Sequence, residues 1–401
     1  MKVTIDEETN SLIKQKSSKV KEATNKENNI NPKIEHKNER NSSFEILRII
    51  SMFFIILSHI MFHTKSLPKL SGANFKRIIN NRYIFLRIIS NYGQLGDIIF
   101  AMISGYFSIK RTNFHYIKFI QIVAQVYFYH YLFLCVSFIL EDIYIDIAPL
   151  QQKKGSYFMP LFTSLGHWFA QQYLVLLIFM PYINTGLLSL SQQQYKNLVV
   201  LLIMCFSIIR PLLNCFSIST NLFSLVLFLK MNFCYIIGGY LRICDIRRRL
   251  LIIIFGFLSF IMTIDLEFLC DNLAVHFNSY RWIKIQEEFS LGIYSIYGVL
   301  SGIGFIFLVK GINFYNKTIN LISSSTFGIY LIHANKNISP FIYNAWLKTD
   351  DYNQDYFFIK YFLKAFIIFF VCLLIDIIRR FTIGKFVDKI IIFFYNIFMK
   401  K

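Results

Sequence analysis

Arg48 and His59 stand eleven residues apart in the apolar stretch FEILRIISMFFIILSHIMFH. In a helix that spacing is about three full turns, so both side chains leave one face, about 16 Å apart along the axis. Glu45 precedes Arg48 by three residues and can pair with it. A guanidinium binds phosphate or carboxylate through a fixed fork of donors. A neutral imidazole near pH 7 can take a proton from a nucleophile or accept an acyl group. Ionisable residues at bilayer depth are costly and face a partner or a polar cavity. Two readings are open on these residues alone. In one, Arg48 holds an anion and His59 handles a proton or an acyl group. In the other, Glu45 and Arg48 are an interfacial ion pair and His59 bonds a neighbouring helix. His63, one turn further on, is expected at the outer surface.

Three other apolar stretches carry polar exceptions. GQLGDIIFAMISGYF places Asp97 at an outer end, Tyr106 within the stretch, and the small Ser104 and Gly105 where another helix can come close. GHWFAQQYLVLLIFMPYIN crowds His167, Trp168, Gln171, Gln172 and Tyr173 into two turns. Trp and Tyr form interfacial belts, whereas adjacent amides fit a hydrated cavity better, because an unpaired amide is costly in hydrocarbon. SSSTFGIYLIHANKN gathers Ser323, Ser324, Ser325, Thr326, Tyr330, His333 and Asn335. A helix this polar must line a cavity or be enclosed by protein.

The elements that position these residues follow from composition. Of 401 residues, 55% are apolar and 16% charged, with a mean hydropathy of +0.48. Soluble domains carry roughly 25% charged residues. Here the apolar residues fall in blocks near the ~20 residues that span a bilayer. The blocks are 44–63, 93–109, 119–140, 165–187, 197–213, 222–241, 250–268, 289–309, 319–335 and 357–378. The class is therefore an all-α, polytopic membrane bundle of about ten spans. The net charge of +19 sits in short loops, where Lys and Arg set orientation, and nucleic-acid binding is set aside. With the N-terminus inside, 25 Lys/Arg fall in inside segments and 13 in outside ones, counting Arg210 at the outer end of its block. That bias points to N-in, C-in.

Residues 1–43 are polar and mixed in charge, and read as a disordered cytosolic tail ahead of a membrane domain at 44–378. Residues 379–401 read as a basic, amphipathic cytosolic tail. Residues 64–92 hold six cations and no acid, and are expected as an outer loop with a helix lying on the membrane surface. Seven cysteines without a CxxC spacing imply neither a disulfide framework nor a zinc site.

Together these motifs resemble acyltransferase family 3, membrane proteins that O-acylate sugars and cell-surface polysaccharides. The family's acidic residue, Arg and His of the first span match Glu45, Arg48 and His59. Its SGYF-like phrase matches Ser104 to Phe107. Its WF-x-x-x-Y segment with a following Pro and Asn matches Trp168, Phe169, Tyr173, Pro181 and Asn184. Ile237–Tyr240 fits an Ile-Gly-Gly-Tyr closing the sixth span, and Ser325–His333 fits STFGIYLIH. The likeness runs from about 40 to 378. The chain departs from the larger branch of the family at Gln171 and Gln172, where that branch tends to carry Glu, so no carboxylate is available there.

The resemblance implies an enzyme that moves an acyl group, acetyl above all, from acyl-CoA to a hydroxyl of a polysaccharide or lipid-linked sugar, multi-pass in a bacterial plasma membrane. It implies catalytic roles for His59, Arg48, Glu45 and His333. Donor contacts are expected from Arg48, Lys110 and Arg111. Acceptor contacts are expected from Ser104, Tyr106, Trp168, Tyr173, Ser325, Thr326, Tyr330 and Asn335. No metal is expected, and acetyl-CoA enters as donor and not as a bound cofactor. A polysaccharide exporter or flippase without chemistry remains the alternative. A receptor or channel would show polar faces on several helices, whereas strong polarity is concentrated on the first, fourth and ninth blocks.

Overall fold

Each apolar block becomes helix because its backbone N–H and C=O groups have no other partner in hydrocarbon. The computed structural model describes residues 40–64, 81–143, 168–216, 227–244, 246, 248–289, 294–346 and 356–398. Residues 1–39 of the expected tail, and residues 65–80 and 144–167, including His167, lie outside the described residues, while Ser42 and Ser43 already belong to the first helix. Residues Asn41–Lys401 form one compact unit, and its described part holds thirteen α-helices. These are α1 (Ser42–Thr64), α2 (Asn81–Ser108), α3 (Tyr116–Ile143), α4 (Trp168–Leu188) and α5 (Gln192–Cys215, with a π-helical middle). There follow α6 (Leu227–Ile243), α7 (Arg249–Phe277), α8 (Arg281–Phe289) and α9 (Ile296–Lys310). The last four are α10 (Lys317–Ser324), α11 (Thr326–His333), α12 (Phe357–Arg379) and α13 (Lys385–Phe398). No strand occurs among the described residues. Among the described residues, five helices are long and apolar enough to cross a membrane: α1, α3, α5, α7 and the run from α12 into α13.

All ten expected blocks contain helix, with three differences. The ninth block is broken in two at Ser325. The helix of the eighth block, α9, starts only at Ile296, where Ser295 caps it by accepting from the Gly298 N–H at 3.1 Å, and α8 occupies most of the stretch expected as the loop before that block. The chain does not leave the bundle at 379, but continues through a π-helical turn, Arg380–Gly384, into α13. Asp388 of α13 accepts from Gln121 of α3 at 2.9 Å.

Small residues set the helix spacing. A Cβ at Gly105 of α2 would meet the Tyr235 carbonyl of α6, and one at Gly238 of α6 would meet the Met102 carbonyl of α2. The two backbones touch here, the close approach that Gly105 promised. Gly96 of α2 likewise lies against the Ser51 carbonyl of α1, where a Cβ would approach to 2.5 Å.

One expectation needs correcting. Arg82 and Arg87 belong to the first turns of α2 and not to an outer loop. Arg87 is buried at 7% exposure. It pairs with Glu267 of α7 at 3.8 Å and Glu287 of α8 at 3.4 Å, and donates to Gln286. Asn91 also donates to Glu267. The neutralising carboxylates are some 180–200 residues downstream, so the local sequence showed only an unbalanced cation. With α2 starting at Asn81, Asp97 falls in mid-helix and is buried, not at an end.

Candidate active site

α1 is pinned at its start. Ser42 Oγ accepts from the Asn316 N–H at 2.7 Å and donates to Asn320 Oδ1 at 2.9 Å, and Ser43 Oγ donates to the Val309 carbonyl at 3.0 Å. These bonds bring the first turn of α1 beside α10. Buried Glu45 there receives Arg48 Nη1 at 2.5 Å through one oxygen and Ser323 Oγ at 2.5 Å through the other. The Arg48 guanidinium also lies over the Phe107 ring, 5.6 Å from its centroid. The Glu45–Arg48 pair is therefore present, and it is tied to the polar ninth block.

At the opposite end of the same helix face, the His59 and His333 rings stand 5.1 Å apart. His333 is fully buried, and its Nδ1 lies 2.7 Å from the Ile329 carbonyl. A carbonyl only accepts, so that contact places the proton on Nδ1 and makes Nε2 the basic nitrogen. Tyr330, one turn earlier, packs edge-on to His333 at 6.1 Å and to Phe169 of α4 at 5.6 Å. The Tyr361 hydroxyl of α12 donates to the Leu57 carbonyl at 2.6 Å and fixes this end of α1.

Between the two ends runs a column of side chains from three helices. Phe100 of α2 meets Phe169 of α4 at 6.2 Å, and Tyr173 of α4 meets Phe327 of α11 at 6.2 Å. Tyr173 shares a hydrogen bond with Ser104 and lies within electrostatic reach of Arg48 and Arg111. Ser104 and Tyr173 thus sit near Arg48, and Tyr330 sits beside His333.

The remaining candidates fall elsewhere. Ser325 and Thr326 lie at the break before α11, about 12 Å along the helix from His333 by residue rise. Ser325 accepts from Arg380 at 3.3 Å, and Thr326 donates to the Ser323 carbonyl at 2.7 Å. They belong to the Glu45 end. Tyr106 is buried, stacks on Phe44 at 4.9 Å, and accepts from Arg242 at 3.2 Å. Trp168 is half-buried with its ring 5.8 Å from Phe169. Asn335 is buried after α11 and accepts from the Asn337 N–H at 2.9 Å. Lys110 and Arg111 are exposed on the turn after α2. Asn184 holds that turn by donating to the carbonyls of Ser108 and Arg111, each at 2.7 Å, while accepting from Tyr235 at 2.7 Å. Gln172 keeps both amide atoms enclosed with no hydrogen-bond partner.

Several residues here escaped the sequence reading. His63 is half-buried, stacked on Tyr343 at 4.7 Å and 5.6 Å from His59. Its i+4 spacing from His59 was the available signal. Asp97 lies within electrostatic reach of Tyr330. Arg242 and Arg380 counted only as orienting charges, and nothing local marked them as neighbours of Tyr106 and Ser325. Among the described residues no group of His, Cys, Asp and Glu is arranged to hold a metal.

The described residues form an all-helical bundle with five helices of membrane-crossing length and apolarity, and they place an Arg and a His at opposite ends of one helix face. The chain matches the family model described as an acyltransferase domain, Acyl_transf_3, over residues 41–378, and it belongs to acyltransferase family 3. Neither the comparison with curated proteins nor that with solved structures returned a match.

Proposed function

We propose that the protein transfers an acetyl group from acetyl-CoA to a hydroxyl of a cell-surface or exported polysaccharide, or of its lipid-linked precursor, at a bacterial plasma membrane. The observation that carries this reading is the 5.1 Å approach of His59 and His333 at the far end of the helix face that begins with the Glu45–Arg48 pair. In the N-in, ten-span topology, Arg48 faces the cytosol and the histidines the outer half of the membrane. Arg48 binds a phosphate of the donor, with Lys110 and Arg111 near the same mouth. The ~16 Å of helix between Arg48 and His59 is the order of length of a pantetheine arm, and the Tyr173–Phe169–Tyr330 column lines that path.

The acceptor hydroxyl attacks the thioester carbonyl as His59 takes its proton. The tetrahedral intermediate collapses with cleavage of the C–S bond, and the proton passes from His59 to the leaving thiolate. The His333 N–H is held by the Ile329 carbonyl, so His333 acts through Nε2: its lone pair accepts from a neighbouring hydroxyl of the acceptor or from the protonated His59. Neutralising Arg48 would loosen the donor and not the acceptor.

The test is transfer of labelled acetyl from acetyl-CoA to purified polysaccharide by the protein in membranes. Label should appear with wild type and be lost with His59→Ala. Equal labelling by both sinks the mechanism. Polymer export that fails in a deletion strain without any acetyl-CoA-dependent labelling would favour an exporter. Reporter fusions that put His333 on the cytosolic side would overturn the topology.

A further inference from the structure

We propose that the cavity between α6, α7 and α9 holds one acyl chain of an anionic phospholipid, with the headgroup phosphate on Arg248 and Arg249. This goes beyond the acyl-CoA reading and does not depend on it.

The cavity follows from how the three helices pack. α7 and α9 touch at Gly256 and Gly304, where a Cβ on either would meet the backbone of the other, so the two form one wall. α6 packs the other way, onto α2 through Gly238. The space left between them is a cavity of about 380 Å³, within the range of sites that take small organic ligands. Its lining is apolar except for Tyr240, and includes Leu241 of α6, Ile252 and Gly256 of α7, and Ile303 and Phe307 of α9. Apolar cavities stay dry and take apolar occupants. Phe255 lines the cavity and is still 62% exposed. Around it on α7, a helix of membrane-crossing length, Leu251, Ile254, Phe257 and Leu258 are also exposed. The cavity therefore opens toward hydrocarbon, where the available apolar occupant is an acyl chain.

Cations stand at one end of the same walls. Arg249, Ile252 and Gly256 share a face of α7 at i, i+3 and i+7, and Ile303, Phe307 and Lys310 share a face of α9 at matching steps. The Arg249 guanidinium lies across the end of α9 in the space left by Gly311, where a Cβ would overlap it. It donates to the Phe307 carbonyl at 3.1 Å and the Leu308 carbonyl at 3.3 Å. Lys310 crosses to α6 and donates to the Leu241 carbonyl at 3.2 Å. Phe307 and Leu241 both line the cavity, so these contacts fix the cations to its end. Arg248 and Arg249 are exposed and meet no carboxylate among the described residues. The carbonyls orient the Arg249 fork and leave its charge intact, and a fork of that kind takes a phosphate. In the N-in topology proposed above, this end meets the leaflet whose anionic headgroups attract Lys and Arg. Charge at one end and an apolar cavity at the other match a phospholipid with a negative headgroup.

The experiment mixes the purified protein in detergent with equimolar phosphatidylglycerol and phosphatidylcholine of matched chains, and counts retained lipid by native mass spectrometry. Wild type should retain one phosphatidylglycerol in preference to phosphatidylcholine, and phosphatidylglycerol should raise its melting temperature. Each cation removed should lower the preference about fivefold. Arg248→Gln with Arg249→Gln should therefore erase most of it, while a lipid of either kind is still retained. Ile303→Phe, which fills the cavity, should lower retention of both lipids. Val199→Phe fills it from α5 and replaces that variant if Ile303→Phe does not fold. Equal retention of the two lipids by wild type overturns the proposal, as does an undiminished preference in the Arg248→Gln, Arg249→Gln protein. Wild-type retention by the cavity-filling variant places the chain elsewhere and overturns it too. Inorganic phosphate that raises the melting temperature as much as phosphatidylglycerol would mean an anion site without a chain, and also overturns it.

Discussion

His59 and His333 lie 274 residues apart in the chain and 5.1 Å apart between ring centroids. They act in the proposed reaction as one unit, and units of this kind give non-additive losses. Either His59→Ala or His333→Ala should lower kcat by about 10²–10⁴. The double variant should be no worse than the more damaging single. Single-turnover transfer of labelled acetyl measures this, and multiplicative losses would show that the two histidines work separately.

Glu45 joins Arg48 to Ser323, so its removal disturbs both donor binding and the α1–α10 contact. Arg48 retains 22% side-chain exposure, which reduces the cost of leaving it without its carboxylate. We expect Glu45→Ala to cost about 1–3 kcal/mol of stability, less than the 3–5 kcal/mol of a fully buried pair, and to raise KM for the donor. Adding Arg48→Met should return part of the stability and none of the donor affinity. Thermal melting in detergent and initial rates would separate the two effects.

The Arg87–Glu267 pair joins α2 to α7 and serves as the contrasting case. Glu267 is fully buried. Glu267→Ala leaves the Arg87 charge under-compensated and should cost about 3–5 kcal/mol, with donor KM unchanged in the surviving folded protein. Joint replacement by Arg87→Met and Glu267→Leu should recover much of the loss. If Glu267→Ala alters KM and leaves melting untouched, the pair is functional and not structural.

The α2–α6 contact depends on having no side chain at Gly105. A Cβ there meets backbone, which cannot swing away, whereas at Gly186 nothing lies within 4 Å. Gly105→Ala should destabilise by about 1–3 kcal/mol or more, and Gly186→Ala should be neutral or slightly stabilising, as expected where a helical Gly meets open space. The paired melting temperatures test whether that contact holds the bundle.

Asn184 secures the turn carrying Lys110 and Arg111 by two bonds to its carbonyls. Asn184→Ala should therefore raise donor KM several-fold while leaving KM for the acceptor polysaccharide in place. An acceptor-side effect would separate that turn from the donor.

The sequence by itself determined the class, the helices and the ends of the site. Apolar blocks of bilayer length have to become helices, since no other backbone arrangement satisfies its own hydrogen bonds in hydrocarbon. An eleven-residue separation places Arg48 and His59 on one face by helix geometry alone. Ser104, Tyr173, Tyr330 and His333 could be singled out because polar residues are conspicuous in apolar runs. Only the tertiary structure decided how these groups divide. It put Ser325 and Thr326 with Glu45 and not with His333, because the ninth block breaks at Ser325. It moved Arg87 from an expected surface helix into a buried ion pair, because the partners that neutralise it come from α7 and α8. It brought Arg242 to Tyr106, Arg380 to Ser324 and Ser325, and His63 beside His59. Periodicity reports which face a residue occupies, but the identity of the facing helix depends on packing between segments hundreds of residues apart. For that reason the Arg48–His59 axis was legible in advance and its surroundings were not.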